Sequence, residues 1–250
     1  MSFFSGLMEW YRKGQTERLQ RAVVKSAKVV RNSKANRDDR KDALAFFVQL
    51  EDVALAAPVL LDRFEYSLEH GINDTREKES AMEGLVKYKD AVLPYVEKKL
   101  LATEKIAWPI KVLMELTDEE KRVEILQNCL SLDDVALEQA KVDKNYDVLC
   151  YLADYTCVDL KKIVPFLKDP DERVRFAAAA VVIDNSGASG PEFLENFLVD
   201  ESSENRRIHR LVVEAFVDKG WPVKELEPGP LTAGLVVTQD KLVRQASHSV

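Results

Sequence analysis

Apolar residues recur along most of the chain at the spacing of an amphipathic helix. Five stretches carry them at i, i+3, i+4 and i+7, the pattern of a helix that buries one face. These are RKDALAFFVQL (40–50), REKESAMEGLVKY (76–88), KNYDVLCYLADY (144–155), ERVRFAAAAVVI (172–183) and NRRIHRLVVEAFVDKG (205–220). IAWPIKVLMEL and EEKRVEILQNCLSL, within 106–132, supply another pair. The pattern predicts an all-α chain built from helices of about three to four turns.

A second pattern repeats between these helices. Three stretches have an aspartate before an apolar run that contains a proline: LEDVALAAPVLLDRF (50–64), YKDAVLPYVEKKLL (88–101) and TCVDLKKIVPFLKD (156–169). Their prolines, Pro58, Pro94 and Pro165, lie 36 and then 71 residues apart. This is close to one and two periods of a mid-thirties unit, which is typical of a helical solenoid. Each proline either kinks a helix interior or lies in the first turn of a shorter helix, and the pattern leaves both open.

The stretch DPDERVRFAAAAVVI (169–183) carries a marked helix start. Asp169 has the side chain of an N-cap, Pro170 suits the first helical position, and Glu172 has capping-box spacing, so we expect a helix from about residue 170. Its small apolar face predicts close neighbours on both sides. That face comprises Val174, Ala177, Ala178, Val181 and Val182, flanked by Ala179 and Ala180. Two further starts are predicted from capping-box spacing, at Asp74 with Glu77 and at Thr117 with Glu120.

Two segments interrupt the helical pattern. EYSLEHGINDT (65–75) predicts a long connection at one edge of the stack. After Trp221, PVKELEPGPLTAG breaks the helix, LVVTQDKLVRQ (235–245) predicts a β-hairpin, and ASHSV predicts a frayed tail. The predicted organisation is therefore a basic amphipathic helix region (1–36), helical repeats (37–221) and a C-terminal extension (222–250).

Composition supports a helical protein and limits its compartment. The chain has 250 residues, 46% of them hydrophobic, and nine glycines. Its three cysteines, Cys129, Cys150 and Cys157, form no CxxC pair and no zinc pattern, so we expect small core residues in a reducing compartment. The start lacks a signal peptide and a myristoylation pattern, and no apolar run of about 18 residues occurs. We therefore predict a cytoplasmic protein.

Charge separates the N-terminal region from the rest. Residues 1–41 hold eleven Lys or Arg against four Asp or Glu, or +7, and the net charge of −7 leaves −14 for the remainder. The first helix presents an apolar aromatic face followed by basic residues, which either lies on an anionic membrane or caps the end of the helical stack. The residues of this face and run are Phe3, Phe4, Leu7, Trp10, Arg12 and Lys13. Leu19, Val23, Ala27 and Val30 are then predicted to be core residues.

The segment VDLKKIVPFLKDPDERVRFAAAAVV (158–182) resembles a HEAT repeat. RRIHRLVVEAFVDKG (206–220) looks like the next copy, because Arg207 lies 34 residues after Arg173. The resemblance implies a right-handed α–α superhelix with a concave binding surface, and a structural ladder between repeats made by Asp169 and Arg175. The set is also similar to uncharacterised bacterial HEAT-repeat proteins described as phycobilisome-lyase-like, a description of repeats and not of an activity.

No catalytic constellation accompanies the helices. The sequence has three histidines, no HE dipeptide of the di-iron HEAT hydroxylases, and no Gly-rich phosphate loop, GxSxG or HExxH motif. A nucleic-acid groove needs positive charge, which the acidic body of the chain disfavours, although several arginines between 173 and 210 form a possible local basic strip. We predict no metal and no cofactor.

These features together predict a non-enzymatic scaffold that binds another protein on the concave face of a HEAT-like solenoid. The candidate partner-binding residues are Arg173, Arg206, Arg207 and Arg210. The alternatives are a peripheral membrane adaptor that docks through residues 1–21, and a nucleic-acid-binding or lyase-type protein.

Overall fold

The computed structural model of the chain describes residues 3–132, 139–199, 202, 204–224, 226–227, 229–232, 235–238 and 241–244. For residues 3–15, 230–232 and 243–244 the description covers the backbone only. The described residues are mostly helical, which confirms the prediction from the apolar spacing. The chain divides into two compact units at Asp118 and Glu119, inside the predicted repeat region.

The first unit, residues 1–118, contains six α-helices among its described residues. They are α1 (Phe3–Val30), α2 (Arg37–Gln49), α3 (Val53–Asp62), α4 (Gly71–Val86), α5 (Leu93–Ala102) and α6 (Ala107–Leu116). Short 3₁₀ turns at Arg63–Glu65 and Lys89–Val92 follow α3 and precede α5.

Successive helices of the first unit alternate between two layers. Helices α2, α4 and α6 pack side by side, α3 and α5 form the layer behind them, and α1 packs on α2 and α3. Phe47, Leu60 and Leu85 lie fully buried where α2, α3 and α4 meet. Each helix thus buries one apolar stripe against its neighbours, as the i, i+3, i+4 spacing predicts.

The second unit, residues 119–250, also contains six α-helices among its described residues, followed by three strands. The helices are α7 (Glu119–Asn128), α8 (Gln139–Leu152), α9 (Leu160–Ile163), α10 (Glu172–Asn185), α11 (Gly190–Leu194) and α12 (Arg206–Lys219). Further 3₁₀ turns lie at Val164–Lys168, Gly187–Ser189 and Glu195–Leu198.

Helix α10 lies at the centre of the second unit. It packs against α8 on one side and α12 on the other, and the turn Val164–Lys168 lies behind it. Ala177, Ala178 and Ala179 are all buried. The small side chains let both neighbours approach, so the prediction that this helix is packed on two sides is confirmed.

The predicted start of α10 is wrong by two residues. The N-cap is Asp171, whose carboxylate accepts the Arg173 backbone N–H at 2.8 Å, and the helix begins at Glu172. Asp169 instead accepts the Asp171 N–H at 2.9 Å, after the turn Val164–Lys168. Asp171 rather than Asp169 therefore satisfies a backbone N–H of the first helical turn, which is the role of an N-cap side chain.

The capping box predicted at Asp74 and Glu77 is also wrong. Helix α4 already begins at Gly71, so both carboxylates lie inside it. The long connection predicted at 65–75 shrinks accordingly to residues 66–70. The two carboxylates are held by buried cations instead of by the helix backbone.

The three stretches that contain the repeated prolines all form helices or helical turns. One proline lies in a helix interior and the other two lie in a first turn, so both predicted positions occur. Pro58 lies inside α3, whereas Pro94 and Pro165 lie in the first turns of α5 and of the 3₁₀ turn Val164–Lys168. The aspartates of the same stretches have a clearer role. Asp52 caps α3 and Asp159 caps α9 through their carboxylates.

The C-terminal residues form a three-stranded antiparallel sheet in the order β1 (Gly229–Thr232), β2 (Leu235–Thr238), β3 (Lys241–Arg244). The β2–β3 pair confirms the predicted hairpin. Strand β1 was not predicted because its proline suggested only a helix break, yet proline is tolerated on an edge strand. Helix α12 ends at Gly220, whose φ of +60° favours glycine, and β3 packs on α12.

Two core predictions need correction. Cys129 is buried, but Cys150 and Cys157 are exposed. Leu19 is 39% exposed, while Ala27 and Val30 are buried. Among the α1 side chains that the structure describes, burial therefore begins only after residue 21. In the part of the chain that the structure describes, no helix combines the length and apolarity needed to cross a membrane.

Candidate functional site

The predicted arginines Arg173 and Arg207 lie beside aromatic rings on neighbouring helices of the second unit. The Arg173 guanidinium carbon lies 5.6 Å from the ring centroid of Tyr146 on α8, and that of Arg207 lies 4.6 Å from the ring of Phe176 on α10. We call Tyr146, Arg173, Phe176 and Arg207 the arginine–aromatic patch. It runs from α8 through α10 to α12, and each cation–π contact orients a guanidinium on a ring face.

Carboxylates neutralise most of these arginines. Arg173 Nη2 lies 2.9 Å from Asp143 Oδ1 and 3.1 Å from Asp171 Oδ2. Hydrogen bonds with Asp171 and then Asp143 raise the pKa of Arg173, and those from Arg173 lower the pKa of Asp171. The side chain of Gln139 and then Arg173 lower the pKa of Asp143.

The other arginines predicted to bind a partner differ in whether a carboxylate lies close to them. Arg207 lies 3.5 Å from Glu172, and Arg210 lies 3.2 Å from Glu214 in the next turn of α12. Arg206 is exposed and forms no ion pair with any residue that the structure describes. The arginines therefore do not form the uniformly basic strip that a phosphate backbone attracts.

Arg175 joins the segment of Asp169 to a second chain segment through three main-chain carbonyls and one side-chain oxygen. Arg175 Nη1 donates to the carbonyl oxygens of Asp169 at 2.8 Å and Pro170 at 2.9 Å. Its Nε donates to Asn205 Oδ1 at 2.9 Å, and Nη2 donates to the carbonyl of Glu204 at 3.1 Å. The guanidinium thus links the start of α10 to the residues before α12. The predicted ladder between repeats remains a prediction.

The residues of the predicted apolar face and basic run near the N-terminus lie in α1, but their side chains fall outside the described residues. These are Phe3, Phe4, Leu7, Trp10, Arg12 and Lys13. The following side chains are described, and those of residues 16–21 are all exposed. Leu19 and the bases Arg18 and Arg21 belong to this exposed segment.

The first unit contains a buried ionic cluster that was not predicted from the sequence. It comprises Arg40 on α2, Arg63 after α3, and Asp74, Glu77 and Lys78 on α4. Glu77 accepts from Arg40 Nη2 at 3.1 Å and from Arg63 Nε at 2.9 Å. Asp74 accepts from Arg63 Nη2 and contacts Lys78 Nζ, each at 2.7 Å. Arg63 is completely buried.

Neighbouring groups complete this cluster. Arg63 Nη1 donates to the Tyr66 carbonyl at 3.0 Å, and the Tyr66 hydroxyl donates to the Val30 carbonyl at the end of α1. Burial raises the pKa of Tyr66, so its phenol is neutral. Burial opposes ionisation of Asp74, but hydrogen bonds from Lys78, Arg63 and the Leu68 N–H outweigh it and lower the pKa.

A groove opens beside this cluster between α2 and α4. It has a volume of about 250 Å³. Its lining residues are Arg37, Lys41 and Leu44 of α2 and Asn73, Arg76, Glu77 and Ser80 of α4. We call it the α2–α4 groove. Arg37 and Lys41 have i, i+4 spacing, but charges on a helix usually indicate a solvated face, so the sequence alone does not single them out.

Among the described residues, no group of three or more His, Cys, Asp or Glu side chains is arranged to hold a metal ion. No protein-family model, curated protein sequence or solved structure matches this chain.

Proposed function

We propose that the chain is a non-enzymatic binding protein, a HEAT-like right-handed α-solenoid that recognises another protein. Two features support the solenoid: the proline stretches repeat with a mid-thirties period, and successive helices alternate between two layers. Such stacks present one layer of helices as an extended surface for partners. Helices α8, α10 and α12 form that layer in the second unit.

The observation that carries this proposal is the arginine–aromatic patch. Arginine, tyrosine and phenylalanine are enriched in protein interfaces, where large planar groups bury much area for few rotatable bonds. The rings of Tyr146 and Phe176 and the carboxylate partners hold Arg173 and Arg207 in place before binding. A partner then meets an ordered surface, which reduces the entropy lost on association.

The charge balance favours a protein partner over a nucleic acid. Arg173, Arg207 and Arg210 each lie within 4 Å of a carboxylate. Phosphate backbones bind unpaired cations and release counterions, whereas neutralised arginines gain little from that effect. Protein interfaces use such arginines for stacking and directed hydrogen bonds.

The test compares partner capture by two double variants. The tagged chain, an Arg173→Ala/Arg207→Ala variant and an Arg37→Ala/Arg76→Ala variant are each incubated with extract of the source cells. We expect a stoichiometric protein partner retained by the first and third forms and lost from the second. Circular dichroism confirms that the variants are folded. A partner retained equally by all three forms would exclude the patch as its binding surface.

A peripheral membrane adaptor is the second candidate. The observation that favours it is the exposure of all side chains at 16–21, which include Leu19, Arg18 and Arg21. An exposed helix that carries apolar and basic residues binds anionic lipid. Flotation with anionic vesicles should then recover the full chain and not a form that lacks residues 1–21. Equal flotation of both forms would reject this function.

A further inference from the structure

The α2–α4 groove brings together three cations that have no partner among the described residues. Arg37, Lys41 and Arg76 line it, and none of their side chains forms an ion pair or hydrogen bond with a described residue. This distinguishes the groove from the arginine–aromatic patch, where carboxylates already occupy the guanidinium groups. Cations that line one groove and have no described carboxylate partner can bind an anion together.

The one acid in the groove does not neutralise these cations. The carboxylate of Glu77 accepts hydrogen bonds from Arg40 Nε and Nη2 and from Arg63 Nε, so its charge is already paired inside the protein. Asp38 and Asp42 on α2 and Glu79 on α4 are exposed and do not line the groove.

The buried ionic cluster adds a positive charge behind the groove. Among the described residues, Arg40, Arg63 and Lys78 pair with two carboxylates only, Asp74 and Glu77. Tyr66 supplies no third negative charge, since a phenol is neutral at neutral pH and burial raises the pKa of this one further. Buried charge that is not balanced is unfavourable, and an anion in the adjoining groove reduces that imbalance.

We propose that the α2–α4 groove binds the phosphate of a small phosphate monoester, with Arg37, Lys41 and Arg76 as its cationic ligands and Asn73 and Ser80 as additional hydrogen-bonding groups. A monoester carries close to two negative charges at neutral pH and three terminal oxygens, enough for three cations. A carboxylate has one charge and two oxygens and leaves a cation unpaired. The volume of about 250 Å³ is below that of most drug-sized sites, so the ligand is small.

Isothermal titration calorimetry with glycerol 3-phosphate tests this site at fixed ionic strength. We expect saturable binding to the unaltered chain and at least roughly tenfold weaker binding to Arg37→Ala/Arg76→Ala, since two charge-assisted contacts are lost. Lys161→Ala/Lys168→Ala removes the same net charge from exposed positions of the second unit. This control should bind as the unaltered chain does.

Two further probes identify the ligand chemistry and its source. Succinate tests a dicarboxylate, and its equal or tighter binding would overturn the phosphate assignment. Phosphatidylcholine vesicles that contain phosphatidic acid present the same monoester as a lipid headgroup. Binding only to these vesicles, lost in Arg37→Ala/Arg76→Ala, would support the site and assign its ligand to lipid. Binding of neither phosphate probe, or equal binding by both double variants, would overturn the proposal.

Discussion

Glu77 balances two arginines whose side chains are almost entirely buried. Its side chain and those of Arg40 and Arg63 are about nine-tenths buried or more. Removing one partner of a buried ion pair leaves an uncompensated charge, which destabilises a protein by about 3–5 kcal/mol. We therefore expect Glu77→Ala to lower the free energy of unfolding by about that amount. Urea denaturation followed by circular dichroism measures the loss.

Glu79→Ala is the matched control for this substitution. Glu79 lies on the same helix but is exposed and forms no ion pair with a described residue. Its replacement should change stability by less than about 0.5 kcal/mol. A similar small change for Glu77→Ala would show that Arg40 and Arg63 find other partners or reach solvent.

We expect Asp74 to make the stability of the first unit depend on pH. Burial alone would raise its pKa, but hydrogen bonds from Lys78 and Arg63 lower it overall. A carboxylate whose pKa is depressed by folding stabilises the protein above its unfolded pKa of about 4, and this stabilisation is lost as the pH falls through the folded pKa. Asp74→Asn should therefore be less stable than the unaltered chain from pH 7 to 5.

Measuring stability at several pH values shows whether folding lowers the pKa of Asp74. Urea unfolding at pH 7, 5, 4 and 3 should show the difference between the two proteins shrinking below about pH 4. Asp42→Asn, which replaces an exposed carboxylate on α2, serves as the control. A constant difference down to pH 3 would contradict a depressed pKa at Asp74.

At the scale of elements, the repeated aspartates determine where two helices begin. Asp52 accepts the backbone N–H of Ala54 at 2.9 Å and Leu55 at 3.2 Å, and Asp159 accepts that of Lys161 at 3.1 Å. Asp90, in the corresponding place of the stretch 88–101, lies inside the turn Lys89–Val92 and is exposed. The shared sequence pattern therefore covers two different local structures.

This difference predicts unequal effects of alanine at equivalent positions. Asp52→Ala and Asp159→Ala should each destabilise by about 1 kcal/mol because a capping hydrogen bond is lost. Asp90→Ala should have an effect below about 0.5 kcal/mol. Urea midpoints of the three single variants provide the comparison. An effect of Asp90→Ala as large as that of Asp52→Ala would mean that the aspartate acts in some way other than capping.

Local patterns predicted the elements better than the side-chain network that joins them. Apolar spacing located α2, α4, α8, α10 and α12, and the flanking residues of α10 indicated two neighbours. The ionic cluster was not predictable because its directly bonded members lie up to 37 residues apart in the chain and resemble ordinary surface charges. Only the packing of α2 on α4 brings Arg40 to Glu77. The α2–α4 groove was not predicted for the same reason, because it too exists only where α2 packs on α4.

At the scale of the whole molecule, each unit carries an apolar core of its own. In the first unit Phe47, Leu60, Leu85 and Ile110 are buried, and in the second Leu149, Val174, Val181 and Phe216 are buried. A compact segment with its own core and of more than about 100 residues is large enough to fold alone. The boundary at Asp118 and Glu119 lies between α6 and α7, so a cut there interrupts no helix.

Separate expression of residues 1–118 and 119–250 tests this independence. We expect each fragment to show the circular dichroism of a helical protein and a cooperative urea transition, because the contacts that define each core are internal to it. Glu77→Ala should then destabilise the fragment 1–118 by about the same 3–5 kcal/mol as the full chain, since the buried ionic cluster lies wholly within it. A fragment without a cooperative transition would show that its core needs the other half of the chain.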